Sequence, residues 1–205
     1  MVSTIDSSLE LSYEPRVAVI GVGGAGCNVV SDIYGALCPV DTIAVNTDRE
    51  ALKATSADNK IYICKEVTKG DGTRGDAALG RKCAKVHETE IYNALAGHDV
   101  VFIVAGLGGG TGTGAVSVVA EICDRLGVMT FAIVIEPFSF EGDRMRVAAE
   151  GLRSLRAVCP SVFRFQNDRM VDHIPDAPLN VAMREVNKCI RTTVMETVAD
   201  LPAMV

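Results

Sequence analysis

Residues 105 to 116 read AGLGGGTGTGAV. Glycine stands at Gly106, Gly108, Gly109, Gly110, Gly112 and Gly114, with Thr111 and Thr113 among them. The N–H groups of successive glycines can turn into one concavity and bind an anion. The two threonine hydroxyls add donors. A helix expected from about Ala115 adds its positive end. A second run, GVGGAGCN from Gly21 to Asn28, follows the apolar RVAVI. Gly21, Gly23 and Gly26 fit GxGxxG, and Asp41 follows Gly21 by twenty residues, where a dinucleotide fold keeps its ribose-binding acid.

Two readings follow from these residues. The first loop alone suits an NAD-type oxidoreductase. That signal is weak, because the same backbone solution serves any phosphate at a helix N-terminus. A dinucleotide needs one such loop for its pyrophosphate, whereas two loops at adjacent strand ends suit a triphosphate held from both sides. The oxidoreductase also needs a proton donor and a substrate pocket, and neither is visible. No GxxxxGK[ST] occurs, so the loops are not a P-loop.

Apolar runs and helix-period segments alternate along the chain and must position the loops. Strands are expected at Arg16 to Ile20, Thr42 to Asn46, Ile61 to Ile63, Val100 to Ala105, Thr130 to Ile135 and Ser161 to Phe165. Helices are expected at Asn28 to Tyr34, Leu79 to Leu95, Val116 to Leu126, Arg144 to Val158 and about Pro178 to Asp200. The alternation predicts an α/β, Rossmann-like three-layer domain, with a mostly parallel central sheet and a long C-terminal helix. Ligands in such sheets sit beyond the carboxyl ends of the strands, where both glycine loops fall. Residues 1–15 read as a polar leader and 16–205 as one domain.

The 205 residues are 48% hydrophobic with a net charge of -6, and no Lys/Arg cluster marks a nucleic-acid face. No apolar run reaches the roughly 20 residues of a membrane helix, and the start lacks a signal-peptide pattern, so a cytoplasmic protein is expected. The seven cysteines form no CxxC and the three histidines stand alone, so free buried thiols are expected and no metal site.

Several segments, in order, resemble the tubulin/FtsZ superfamily, and most closely its FtsZ branch. GLGGGTGTG looks like its signature loop and GVGGAGCN like its first phosphate loop. IAVNTDREAL resembles the loop after the second strand, which contains Asn46. GDGTRGDAALGRK resembles the loop that senses the γ-phosphate, EPFSFEGDRM the ribose-contacting segment with Pro137, FQND the loop after the sixth strand, and Pro178 onward the central helix. The match runs from about Arg16 to about Leu201. It implies a GTP-binding domain that takes GTP or GDP, with Mg²⁺ held mainly through phosphates and water.

The resemblance also implies roles. Gly24, Ala25, Gly26, Cys27 and Asn28 would wrap the α- and β-phosphates. Gly106 and Gly108 to Gly114, with Thr111, Gly112 and Thr113 foremost, would hold the β- and γ-phosphates. Gly72, Thr73, Arg74 and Gly75 would face the γ-phosphate. Glu141 would accept the ribose hydroxyls, and Arg144, rather than Arg146, would lie near phosphate or ribose. Asn167 would read the base. Met183 would replace the family's stacking aromatic ring with a polarizable platform, and Asn187, four residues on, would share its helix face and keep the family's polar amide contact to the base. Core packing for Met183 and exposure for Asn187 is the alternative.

Three departures from the family pattern stand out. Lys188 occupies a position where an aspartate suits guanine's donors, and lysine has donors only. Arg74 replaces a small residue, pointing either to solvent or, as a fixed cation, to the γ-phosphate or a partner subunit. The chain ends in METVADLPAMV without an Asn-x-Asp-x-x-Asp loop, whose acids position the attacking water. The expectation is nucleotide binding with slow or partner-dependent hydrolysis, or a non-catalytic regulatory module. Self-association, or association with a full-length FtsZ-like protein, would be limited to a monomer, dimer or filament cap.

Overall fold

The computed structural model describes residues 14–36, 39–169 and 178–201. Almost all of the expected leader, Cys38 and His173 lie outside the described residues. Six strands form one sheet: β1 Val17–Val22, β2 Val40–Asn46, β3 Asn59–Tyr62, β4 Val100–Gly106, β5 Met129–Glu136 and β6 Val162–Gln166. The order is β3-β2-β1-β4-β5-β6, and every pairing is parallel. The expected "mostly parallel" sheet is therefore parallel throughout. Strands buried on both faces read as continuous apolar runs, which is why VAVIGV and VVFIVAG were legible.

The longer helices that accompany the strands are α1 Gly23–Ile33, α2 Arg49–Ala54, α3 Lys65–Thr68, α4 Ala77–Val86, α5 Glu88–Leu95, α6 Gly110–Leu126, α7 Asp143–Arg156 and α8 Leu179–Asp200, with a 3-10 turn at Ser139–Glu141. They form two layers. Ala18, Ile20 and Val22 of β1 face a core with Cys83, Ile91, Val116, Val119 and Leu155 of α4 to α7. The alternate residues Val17 and Val19 face Val29, Ile33, Val186, Ile190 and Val194 of α1 and α8. On α8 the buried residues are Ala182, Val186, Ile190, Val194 and Val198, a strict four-residue stripe.

Several expected boundaries move. The single helix expected over Leu79 to Leu95 is two helices that meet at His87 (φ -100, ψ 20). There the His87 ring accepts the Cys64 N–H at 2.8 Å. Both loop-following helices also begin earlier than expected, at Gly23 and Gly110, so most of each glycine run is the first turn of a helix.

Chain reversal between β1 and β4 creates the switch point of this sheet, because β2 and β3 lie to one side and β5 and β6 to the other. α1 leaves β1 and α6 leaves β4 at that point, at the same edge of the sheet. The two glycine runs are neighbours for this topological reason.

Candidate functional site

A cleft of about 530 Å³ opens at the switch point. Its floor is Gly24 and Ala25 at the start of α1, with Gly106, Gly109, Gly110, Thr111 and Gly112 at the start of α6. On the β2 side stand Asn46, Gly72, Thr73 and Arg74; on the β5 side stand Pro137, Glu141 and Arg144. Asn167 and Met183 close the far end. The sequence-derived site residues from seven separate segments thus meet in one place.

Others from the same set do not line the cleft. Gly26 lies on the inner face of α1, where a Cβ would come within 2.2 Å of the Val104 carbonyl. The Cys27 thiol points into the protein, donating to the Gly21 carbonyl at 3.8 Å and the Val45 carbonyl at 3.7 Å. Burial pushes that thiol up to about 12, against smaller lowering contributions from Thr55, Val45 and Asn46. Asn28 is exposed on α1, and Gly75 is exposed beyond Arg74. Gly108 has φ 88 and its N–H donates to the Thr113 hydroxyl at 2.9 Å, so Thr113 pins the loop from within. Gly114 lies under α4, and Asn187 is half-buried one turn beyond Met183.

The glycine run therefore serves two purposes. A Cβ on Gly110 would meet the Thr73 hydroxyl at 2.0 Å, on Gly112 the Gly106 carbonyl at 2.3 Å, and on Gly114 the Ala77 carbonyl at 2.0 Å. Those glycines let α4, the 70–76 segment and the end of β4 lie against α6. Gly109 differs, because a Cβ there meets only the tip of Arg144 at 3.9 Å, and Gly24 has nothing within 4 Å. These two present bare backbone to the cleft.

Neither α1 nor α6 has a side-chain cap or an acid in its first turn. By contrast α2 and α4 are capped by Asp48 and Asp76. The first N–H groups of a helix have no intrahelical partner, so α1 and α6 direct unsatisfied donors and a positive dipole end toward the cleft. Asn46 lines the cleft with its side chain turned inward. Its Oδ1 accepts from the Thr47 and Asp48 N–H groups at 2.8 and 3.2 Å. Its Nδ2 is buried and makes no hydrogen bond, with the Cys27 sulfur as a weak neighbour.

Thr111 ties three segments together. Its hydroxyl lies 2.6 Å from that of Thr47 and 3.4 Å from that of Thr73. Thr111→Val strands two buried hydroxyls and is expected to cost about 1–2 kcal/mol, read as a lower midpoint in urea.

The β5 side is built on ion pairs. Glu141 accepts the Phe138 N–H at 2.8 Å and pairs with Arg144, whose Nε donates to the Gly108 carbonyl at 3.3 Å. Arg146 instead pairs with Glu150 on the exposed side of α7. Sequence reading missed Glu136 and the stacked rings of Phe138 and Phe140, which also line the cleft. Glu136 receives Arg164 on both oxygens, at 2.7 and 2.9 Å, and Gln166 at 3.1 Å. Burial works against its ionisation, but these hydrogen bonds outweigh burial and hold the carboxyl below its ordinary range. A depressed folded pKa adds stability above the unfolded value, lost as pH falls through the folded one. Arg164→Met is expected to lower stability at pH 7 by about 1–2 kcal/mol, discounted because Arg164 is partly exposed. The gap between variant and parent should narrow as the pH falls below about 4, which urea melts across pH would show.

Lys188 does not enter the cleft; it pairs with Glu185 at 3.5 Å on the exposed face of α8. Asp41 stands near the start of β2 with His98 at 2.9 Å, at the opposite edge of the sheet from the glycine loops. A dinucleotide reading therefore loses its ribose-binding acid. The end of β2 carries Asn46 instead.

Comparison with known proteins agrees with this geometry. Residues 16–175 match the model of the Tubulin/FtsZ family, GTPase domain. Cell division protein FtsZ 2 of Haloferax volcanii is 37% identical over 193 residues, 94% of this chain and 48% of the relative. Cell division protein FtsZ 1 of Pyrococcus horikoshii is 40% identical, over 92% of this chain and 52% of the relative. The chain spans about half the length of the curated relatives it matches. Among solved structures, an empty FtsZ dimer of M. jannaschii superposes with a TM-score of 0.87 at 37% identity, covering 92% of this chain and 55% of that one. The GTPγS-bound protofilament of CetZ2 from Haloferax volcanii gives 0.82 at 27% identity, covering 93% and 60%. Sheet order, paired glycine helices and family match converge: the chain belongs to the tubulin/FtsZ family and carries its GTPase domain.

Proposed function

We propose that the cleft binds GTP or GDP, as the nucleotide site of a cytoplasmic FtsZ-type protein of cell division or the cytoskeleton. The observation that carries this reading is the convergence of two uncapped, acid-free helix N-termini on one cleft. One such end suits one phosphate group; two facing ends suit a chain of them. The phosphates then rest on the backbone of Gly24, Ala25 and Gly109 to Gly112, with Asn46 beside them in the cleft wall. Gly26, Cys27, Asn28, Gly108, Thr113 and Gly114 act through the backbone path they hold. In this reading Glu141 meets the ribose, and Asn167 and Met183 meet the base.

The donors present fit a triphosphate accompanied by Mg²⁺. Among the described residues no three His, Cys, Asp or Glu side chains come together as a cage. In this reading the ion is carried on phosphate oxygens and water, with Asp48 and Asp71 as the acids on that side of the cleft. The ion would supply charge neutralisation for the phosphates.

Turnover is the finer part of the proposal. Asp71 pairs with Arg74, Glu136 with Arg164 and Glu141 with Arg144, while Asp48 caps α2. Glu136, Glu141 and Asp48 are committed to these partners and only Asp71 stands in an exposed pair, so little is offered to orient an attacking water, the step such hydrolysis requires. The 205-residue chain alone is expected to hydrolyse GTP slowly. A longer FtsZ-type partner that brings acids to the cleft is expected to accelerate it. Phosphate release that stays flat with such a partner favours a non-catalytic regulatory module.

The site reading is tested by denaturing the purified protein and identifying released nucleotide by chromatography and mass spectrometry. GTP or GDP near one per chain supports it; an adenine nucleotide in that amount overturns it.

A further inference from the structure

β3 stands at one end of the sheet, paired on one side with β2. The register sets Ala44 opposite Lys60 and Asn46 opposite Tyr62, and the Ile63 N–H donates to the Asn46 carbonyl at 3.0 Å. Backbone groups alternate sides along a strand, so Asn59, Ile61 and Ile63 face β2 while Lys60 and Tyr62 turn their N–H and C=O groups outward. Among the described residues no further strand pairs with that outward side. Such an edge is a template for an added strand.

Beside this edge, Arg49, Leu52 and Lys53 of α2 and Lys60 and Tyr62 of β3 line a groove of about 340 Å³. It shares no lining residue with the nucleotide cleft. Leu52 is buried and Tyr62 half-buried, which gives the groove an apolar floor. Three cations and no acid line it, in a chain of net charge -6. Lys60 donates to the Lys53 carbonyl at 3.3 Å, and Lys53 pairs with Glu50 at 2.8 Å. That pair is exposed on both sides, so it contributes little and exchanges readily. Lys53, by hydrogen bond and then by charge, holds the Glu50 carboxyl below its ordinary range, and Arg49 adds to the effect. The groove already favours carboxylate over carboxylic acid. A lysine on an edge strand also bars pairing with neutral or basic strands, which leaves acidic ones.

We propose that the β3 edge and this groove bind an extended acidic peptide of a partner protein. The peptide pairs with the outward backbone of Lys60 and Tyr62, the mode of strand addition. Alternate side chains of an extended peptide share one face about 7 Å apart. The pattern acid-x-apolar-x-acid therefore sets an apolar side chain over Leu52 and Tyr62 and carboxylates among Arg49, Lys53 and Lys60. A longer polyanion such as nucleic acid would run beyond the three cations into the field of an acidic protein. The proposal is independent of the nucleotide reading.

The test is a fluorescence-anisotropy titration of the labelled peptide TETFTET into the full chain. The controls are TKTFTKT and an N-methylated TETFTET whose backbone cannot donate. TETFTET is expected to bind saturably and to weaken as salt rises, with both controls at least about tenfold weaker. Lys53→Glu with Lys60→Glu is expected to weaken TETFTET about tenfold, two exposed ion pairs exchanged for repulsions. The same variant should gain binding of TKTFTKT, which a misfolded chain would not do, and should keep the parent's GTPγS affinity. No saturable binding of TETFTET, equal binding of the three peptides, or equal binding by parent and variant overturns the proposal and leaves the site reading intact. Failure of the peptide, together with capture by phosphatidylglycerol vesicles or a GTP-independent dimer that the variant loses, assigns the surface to lipid or to a second copy and equally overturns it.

Discussion

Gly114→Ala is expected to destabilise the fold by about 3 kcal/mol, the upper part of the range for overpacking a filled interior. The added methyl would stand 2.0 Å from the Ala77 carbonyl and 2.5 Å from the Arg81 N–H. Both contacts are backbone, so no side-chain rotation relieves them. α4 and α6 meet reciprocally, since a Cβ on Gly80 would lie 2.3 Å from the Gly110 carbonyl. The helices must therefore separate, and the Arg81–Glu121 and Lys85–Glu121 pairs across their interface open with them. The check is a thermal melt: Tm should fall by several degrees, as that loss implies for a domain of this size. A Tm within a degree of the parent contradicts the packing account of this glycine.

Gly109→Val is expected to do the reverse, sparing the fold and weakening GTP binding about 10–100-fold. Gly109 has φ -95 and ψ 177, which a β-branched residue adopts without strain. A Cβ there meets only the Arg144 guanidinium tip at 3.9 Å, the end of a flexible side chain. Stability should change by less than about 0.5 kcal/mol. The branched side chain enters the space in front of the α6 N-terminus and displaces an anion from it. Losing one or two hydrogen bonds to a charged group corresponds to that range of affinity. Titration and melting on the same two variants read both halves, with Gly114 governing the fold and Gly109 the ligand.

The contrast also shows where the sequence could and could not be read. Apolar strands stood out because a parallel sheet buried on both faces needs unbroken runs such as VAVIGV. The meeting of the two glycine runs followed from their place after β1 and β4. The start of α6 was misplaced for a physical reason. Glycine is a poor helix former, so GGTGTG reads as a loop until the closeness of α4 shows why no side chain fits. The break at His87 carries no glycine or proline and depends on a hydrogen bond to Cys64, 23 residues away. The Glu136–Arg164 pair was equally hidden, because it forms across β5 and β6 only once their register is set. Lys188 looked troubling as a letter in a motif. Its place on the exposed face of α8, beside Glu185, removes it from the cleft.

The central claim is that anionic ligand binds where α1 and α6 open onto one cleft. Isothermal titration of GTPγS, with ATPγS as competitor, tests it most directly when run on the parent chain and on Gly109→Val. The account predicts one GTPγS per parent chain, little displacement by ATPγS, and a loss of at least tenfold in the variant. Undiminished binding by Gly109→Val would place the ligand elsewhere and contradict the account.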